Sequence, residues 1–198
     1  MKKDLDHNEF ISTALFGALW GVIEISLGTI LHASRIPFRG TLLTIIAVVL
    51  ITISRSFINY KGSMTAISSV AATLKLITLP GFNITPFIAI MMQGIIAEIV
   101  FSFFTYSFIS SLLTGSLILL YTLIHSLIMQ GIFFGFGIYN VYLEILNSIG
   151  KAINYEGEMS LILIPLIVFL YIFIGAGAGW FGYVTSNRTK EILQESVL

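Results

Sequence analysis

From Ile99 to Leu143 the chain reads IVFSFFTYSFISSLLTGSLILLYTLIHSLIMQGIFFGFGIYNVYL, 45 residues without one Asp, Glu, Lys or Arg. A single helix of that length would run roughly 68 Å, more than twice the ~30 Å hydrocarbon core of a bilayer. The run therefore holds two crossings, and the Ser/Thr-rich stretch Thr105–Ser111 is where the chain can turn between them. A re-entrant segment, with five crossings in all, stays open as the other reading. Working outward, apolar runs of spanning length are Phe10–Ala33, Ile36–Ile58, Gly62–Leu79, Thr85–Tyr106, Ser111–Ile138 and Met159–Val184. Leu79-Pro80-Gly81 closes the third, and Thr85-Pro86 opens the fourth, where proline suits a first helical turn.

Composition points the same way. Of 198 residues, 57% are hydrophobic and only 10% charged, against about a quarter charged in soluble domains. Mean hydropathy is +0.97. Ten Lys+Arg balance ten Asp+Glu, so the basic surplus of a nucleic-acid binder is missing. An ordinary soluble globule and a disordered chain are excluded by the same numbers. With no cysteine, disulfide frameworks, thiol catalysis and thiolate metal sites drop out. The expected fold is all-α: one integral membrane bundle of six transmembrane helices over residues 1–198. The run from Phe10 is too long for a signal-peptide core and is expected to stay as the first helix.

Short loops carry the orientation signal. Lys2, Lys3, Arg55, Lys61, Arg188 and Lys190 fall on the side of the termini, against Arg35, Arg39 and Lys151 on the other. Both termini are thus expected in the cytoplasm, in a multi-pass cell-membrane protein. In the outer segment Asn140–Glu158, Tyr142, Ile145, Leu146 and Ile149 recur at helical spacing and predict a short interfacial helix.

Two helix faces are built of small residues, which let helices approach closely in lipid. The first span has Ala14-x-x-x-Ala18 and Gly17-x-x-x-Gly21, and the last has Gly175-Ala176-Gly177-Ala178-Gly179. Both lie toward the cytoplasmic end. They can pack within the bundle or form a docking surface for a partner.

Ionisable groups inside a membrane span cost about 2.5–3.5 kcal/mol each on insertion scales, so they default to a functional role. Here they are Glu24, Lys75, Glu98 and His125, accompanied by Gln93 and Gln130. By depth, Glu24, Lys75, Gln93 and Gln130 belong to the outer half and suggest a pocket open to the outside. Glu98 and His125 fall near the midplane, as a hydrogen-bonded or acid–base pair. Gln93 and Glu98 are five residues apart, as are His125 and Gln130, about 140° around a helix. Neither pair is expected to point into one narrow pocket. Glu24 shares the small-residue side of its span, away from lipid, and Trp20 one turn below it can supply a stacking wall. Glu24 and Lys75 can equally form a buried pair that locks the bundle. The loop His32–Gly40 adds Arg35 and Arg39, whose guanidinium forks suit carboxylate or phosphate and can also snorkel to headgroups. Asn83 and Asn140, in neighbouring outer segments, complete a candidate lid.

No Gly-x-Ser-x-Gly, His-Glu-x-x-His or Walker A sequence occurs, and no cofactor or metal site is expected. A chain near 200 residues with six spans, cytoplasmic ends and Ala14-x-x-x-Ala18 on the first span resembles the substrate-binding S components of energy-coupling factor (ECF) transporters. The resemblance covers the whole chain in architecture. It implies that Ala14 and Ala18 dock on a transmembrane T component coupled to cytoplasmic ATPase subunits. It also implies that a small water-soluble vitamin or precursor is held near the outer face, under a gate at His32–Gly40, with no covalent chemistry in this chain. The alternatives are an intramembrane enzyme using Glu98 and His125 as acid and base, and an accessory membrane protein whose polar groups are structural.

Overall fold

A computed structural model of the chain describes residues 7–35, 38–78, 84–152, 155 and 157–196. Among the described residues all regular structure is helical: α1 His7–Ala33, α2 Arg39–Phe57, α3 Ser63–Thr78, α4 Ile84–Phe104, α5 Phe108–Phe134, α6 Ile138–Ala152 and α7 Ser160–Glu195. Five of these, α1, α2, α4, α5 and α7, are long and apolar enough to cross a membrane. The apolar α3 has 16 residues, roughly 24 Å of helix.

The division of the long uncharged run falls at the Ser/Thr-rich stretch, and its cause is local. Thr105 turns the chain with φ 53°. Ser107 then caps α5: its Oγ accepts from the Ser110 amide at 3.2 Å, while its own amide donates to Ser110 Oγ at 2.8 Å. This reciprocal capping box satisfies two amides that the first helical turn leaves open. It starts α5 three residues before the expected boundary. The last helix departs more: it continues past Val184 to Glu195, giving 36 residues, roughly 54 Å. Its final turns carry Arg188, Lys190, Glu191 and Glu195.

Six helices close a ring in which α1 packs on α3, α3 on α4, α4 on α5, α5 on α7, α7 on α2 and α2 on α1, with α2 also touching α5 across the middle. The short α6 rests lightly on α5 and α7, close to the predicted interfacial helix in extent. The interior is as polar as it is apolar: sixteen buried polar or charged side chains stand beside sixteen buried hydrophobic ones among the described residues. Large apolar side chains point outward instead, Phe103 at 80% and Phe136 at 77% exposure. Water would penalise that arrangement by leaving apolar area wet. Lipid would not, because exterior hydrocarbon is then already in its own kind.

Glycine sets the closest crossings. A Cβ on Gly175 would lie 2.3 Å from the Gly115 carbonyl oxygen, and one on Gly179 would lie 2.1 Å from that of Ser111. On α1, a Cβ on Gly17 or Gly21 would lie 2.7 Å from Val70 or Leu74. The glycines of the two small-residue faces therefore pack inside the bundle, but not on each other: Gly17 and Gly21 of α1 lie on α3, and Gly175 and Gly179 of α7 on α5.

Candidate functional site

Helices α1, α3 and α5 bring their C-terminal halves, and α2 and α4 their N-terminal halves, to one end of the bundle. There they enclose a cavity of about 680 Å³ lined by residues of all five. The walls are mainly apolar, with Leu43, Ala89, Ile90 and Met129 among them, and the polar groups converge at a few points.

Gln93 of α4 is buried on the cavity wall, 4% exposed. Its Nε2 donates to Thr44 Oγ1 at 3.1 Å. Thr44 Oγ1 lies 3.2 Å from Thr122 Oγ1, so side chains of α2, α4 and α5 meet at one point. Each threonine hydroxyl also reaches the carbonyl four residues back, Thr44 to Gly40 at 2.9 Å and Thr122 to Ile118 at 3.0 Å. The Gln93 carbonyl oxygen has no hydrogen-bond partner among the described residues.

On one wall Lys75 and Glu24 form a buried ion pair, Nζ to Oε2 3.4 Å. The ammonium also donates to the Glu24 backbone carbonyl. Gly28, one turn after Glu24, makes room for it: a Cβ there would lie 2.5 Å from Nζ. Both expectations for this pair meet in one geometry, since the two residues neutralise each other and both line the cavity. Removing one partner of such a pair costs about 3–5 kcal/mol, because the other charge is left buried. On the opposite wall His125 Nδ1 lies 3.1 Å from Tyr121 Oη, with the Thr85 backbone as a further polar neighbour. Gln130 lines the cavity and accepts a hydrogen bond from Tyr142 of α6. Arg39, exposed at the first turn of α2, and His32 stand at the mouth.

The sequence-predicted residues thus divide. Glu24, Lys75, Gln93, Gln130 and Arg39 come together around the cavity. Trp20 does not; at 1% exposure it belongs to the core, because its ring packs inward on the α1 face that also buries Gly17, Gly21 and Glu24. Arg35 and Asn140 are exposed and do not line the cavity. Asn83 lies outside the described residues.

The expected meeting of Glu98 with His125 does not occur. Glu98 accepts from the Gly62 amide at 2.7 Å and the Met64 amide at 3.0 Å, and so caps the start of α3. In the α4–α5 hairpin residue 98 stands level with about residue 114, some eleven residues or roughly 16 Å below His125. The reason is the shortness of α3: its first amides are sunk beside α4, and their positive dipole end holds a carboxylate better than a distant imidazole would. His125 lines the cavity together with Gln130, against the expectation that 140° of helix would keep them apart; the cavity is wide enough to take in two faces of α5. Thr44 and Thr122 carried no signal of their own in the sequence, since a threonine in a span more often bonds its own helix backbone.

At the opposite end of the bundle, Ala14 is exposed and Ala18 half-buried, on the outer face of α1. Gly17, Gly21, Gly175 and Gly179, expected as docking residues beside them, are occupied by α3 and α5, because their missing side chains are the space those helices fill. Two cations of this end, Arg55 of α2 and Lys190 of α7, have intramolecular partners. Arg55 donates to the Tyr60 carbonyl at 3.1 Å and Ser63 Oγ at 3.0 Å, and Lys190 sits over the rings of Phe57 and Tyr106 at 5.6 and 5.4 Å. Burial pushes the phenol of Tyr106, in the α4–α5 connection, above its ordinary range.

Compared with protein-family models, with curated proteins and with solved structures, the chain finds no match. Fold and cavity define a class: an all-helical protein with several helices fit to cross a membrane and a polar-floored cavity at one end of the bundle.

Proposed function

We propose that the chain is the substrate-capture subunit of an ECF-type importer, binding a small water-soluble vitamin or precursor and delivering it without covalent chemistry. In this reading six helices span the cell membrane, both termini are cytoplasmic, and the cavity opens to the outside. The observation that carries it is the separation of two features along α1. Glu24 lines a cavity at one end, while Ala14 and Ala18 remain on an open face toward the other. Ligand capture and partner docking can then occur on opposite sides of the membrane. A T component and ATPase subunits supply the energy in this reading, which fits a chain with no Walker A sequence.

The test is co-purification with tagged T and ATPase subunits, comparing the native chain with the Ala14→Trp/Ala18→Trp double variant. The variant should lose most of the complex while keeping its fold, because Ala14 is exposed and Ala18 only half-buried; equal recovery overturns the docking assignment. Native mass spectrometry of the purified chain should also reveal a retained small molecule. Its absence would favour an accessory protein whose polar groups only hold the bundle together.

A further inference from the structure

We infer that the cavity is opened by a parting of the bundle into two rigid bodies, α1–α3–α4 and α2–α5–α7, which pivot at the end away from the cavity. This goes beyond the capture reading, because it describes how the cavity is reached whatever occupies it. The first observation is where helices approach most closely. Among the described residues, eight glycines of the ring helices would, with a Cβ added, come within 3.0 Å of a neighbouring ring helix. In each case the nearest atom belongs to the same body. Those of α1, and Gly94 of α4, meet α3; Gly115 of α5 meets Gly175 and Gly179 of α7; Gly182 of α7 meets Thr52 of α2. The ring closes between the bodies at α1–α2 and α4–α5, and no glycine among the described residues is closed upon in this way at either junction. Gly28 meets Leu43 of α2 only at an ordinary 3.5 Å. Helices held at glycine distance cannot slide without a clash, whereas side chains meeting across a junction can repack.

The second observation is what lies on the seam between the bodies. Glu24, Lys75 and Gln93 line the cavity from one body, and Leu43, Thr122 and His125 from the other. The buried ion pair Glu24–Lys75 lies wholly within the first body, so parting leaves it whole. At this end the seam is crossed by the bond from Gln93 Nε2 to Thr44 Oγ1 at 3.1 Å and by His125 beside the Thr85 backbone. When Gln93 withdraws, Thr44 keeps its bond to the Gly40 carbonyl. The opposite end is clamped. Arg55 of α2 donates to Ser63 Oγ of α3 at 3.0 Å, and its guanidinium lies 5.9 Å from the ring centre of Phe101 of α4. Val48, Ile51 and Ile118 of one body share a buried core with Met64, Ile67 and Phe101 of the other. Parting there would forfeit those contacts, and the short connections 58–62 and 105–107 join the bodies at the same end.

The chain has no cysteine, so pairs of engineered cysteines can carry nitroxide labels without interference. Ile30, Leu42, Ile84 and Phe134 are exposed toward the cavity end of α1, α2, α4 and α5, and none lines the cavity. Ile30→Cys/Ile84→Cys and Leu42→Cys/Phe134→Cys report within the bodies; Ile30→Cys/Phe134→Cys and Leu42→Cys/Ile84→Cys report across the seam. Distances are read by double electron–electron resonance on the full chain in lipid nanodiscs. Adding Thr44→Val, which deletes the bond to Gln93, should lengthen both distances across the seam by about 5 Å and leave both within the bodies unchanged. Gln93→Leu removes the same bond from the other side and should act alike. Distances that change equally in all four pairs, or in none, overturn the inference, as does lengthening within either body. Ile11→Cys/Ile109→Cys, exposed across the seam at the far end, should hold still; equal lengthening there overturns the pivot.

Discussion

A carboxylate in a membrane helix invites a catalytic or ligand-binding role, and two such residues in this chain have different fates. Glu24 meets Lys75 on a cavity wall. Glu98 meets two backbone amides at the start of α3 and the hydroxyl of Ser102 at 3.1 Å. The difference lies in what each can reach: Glu24 lines the cavity, and Glu98 caps a helix. Glu98→Ala leaves the Gly62 and Met64 amides without acceptors and should destabilise the chain by about 1–3 kcal/mol. The measurement is the thermal midpoint of the detergent-solubilised protein, and an unchanged midpoint would overturn the capping role of Glu98.

Helix contacts here are governed by what is missing from them. The α5–α7 crossing is closed by Gly115, Gly175 and Gly179, whose hypothetical Cβ atoms would strike backbone atoms of the facing helix. Gly177, two residues from Gly175, faces open space with nothing within 4 Å. Gly175→Leu should therefore cost about 3 kcal/mol or more, beyond ordinary overpacking because backbone cannot yield as a side chain does. Gly177→Leu should be tolerated. Size-exclusion profiles and thermal midpoints of the two variants decide it, and equal behaviour would remove close backbone approach as the basis of the crossing. The GAGAG run does not say which of its glycines is the contact; a helix shows only one side to its neighbour, and the neighbour is chosen by the ring.

Across the described residues, the interior holds serines, threonines and one charged pair while many phenylalanines and isoleucines crowd the exterior. This is the distribution a bilayer asks for, and it places the cavity and the Ala14/Ala18 face at opposite ends. The absence of cysteine allows the sidedness to be measured directly. Ser34→Cys, beside the cavity mouth, should react with a membrane-impermeant maleimide in intact cells. Gln194→Cys, near the end of α7, should react only after permeabilisation. Labelling of both from one side would refute the proposed topology.

Five of the six expected spans were legible as long apolar helices because lipid imposes one requirement, length in apolar residues, that a linear chain displays. The turn within Ile99–Leu143 was legible because Ser107 and Ser110 cap locally. Glu24 could be assigned to the interior because its face is shared with Gly17 and Gly21, all on one helix. Which partner each buried group takes was decided by the tertiary structure alone. The short α3 drew Glu98 away from His125, and the ring order placed Thr44, Gln93 and Thr122 on three helices around one point. Helical periodicity determines the face a residue occupies. The depth of its neighbours, set by how six helices of unequal length fit together, determines what that face meets.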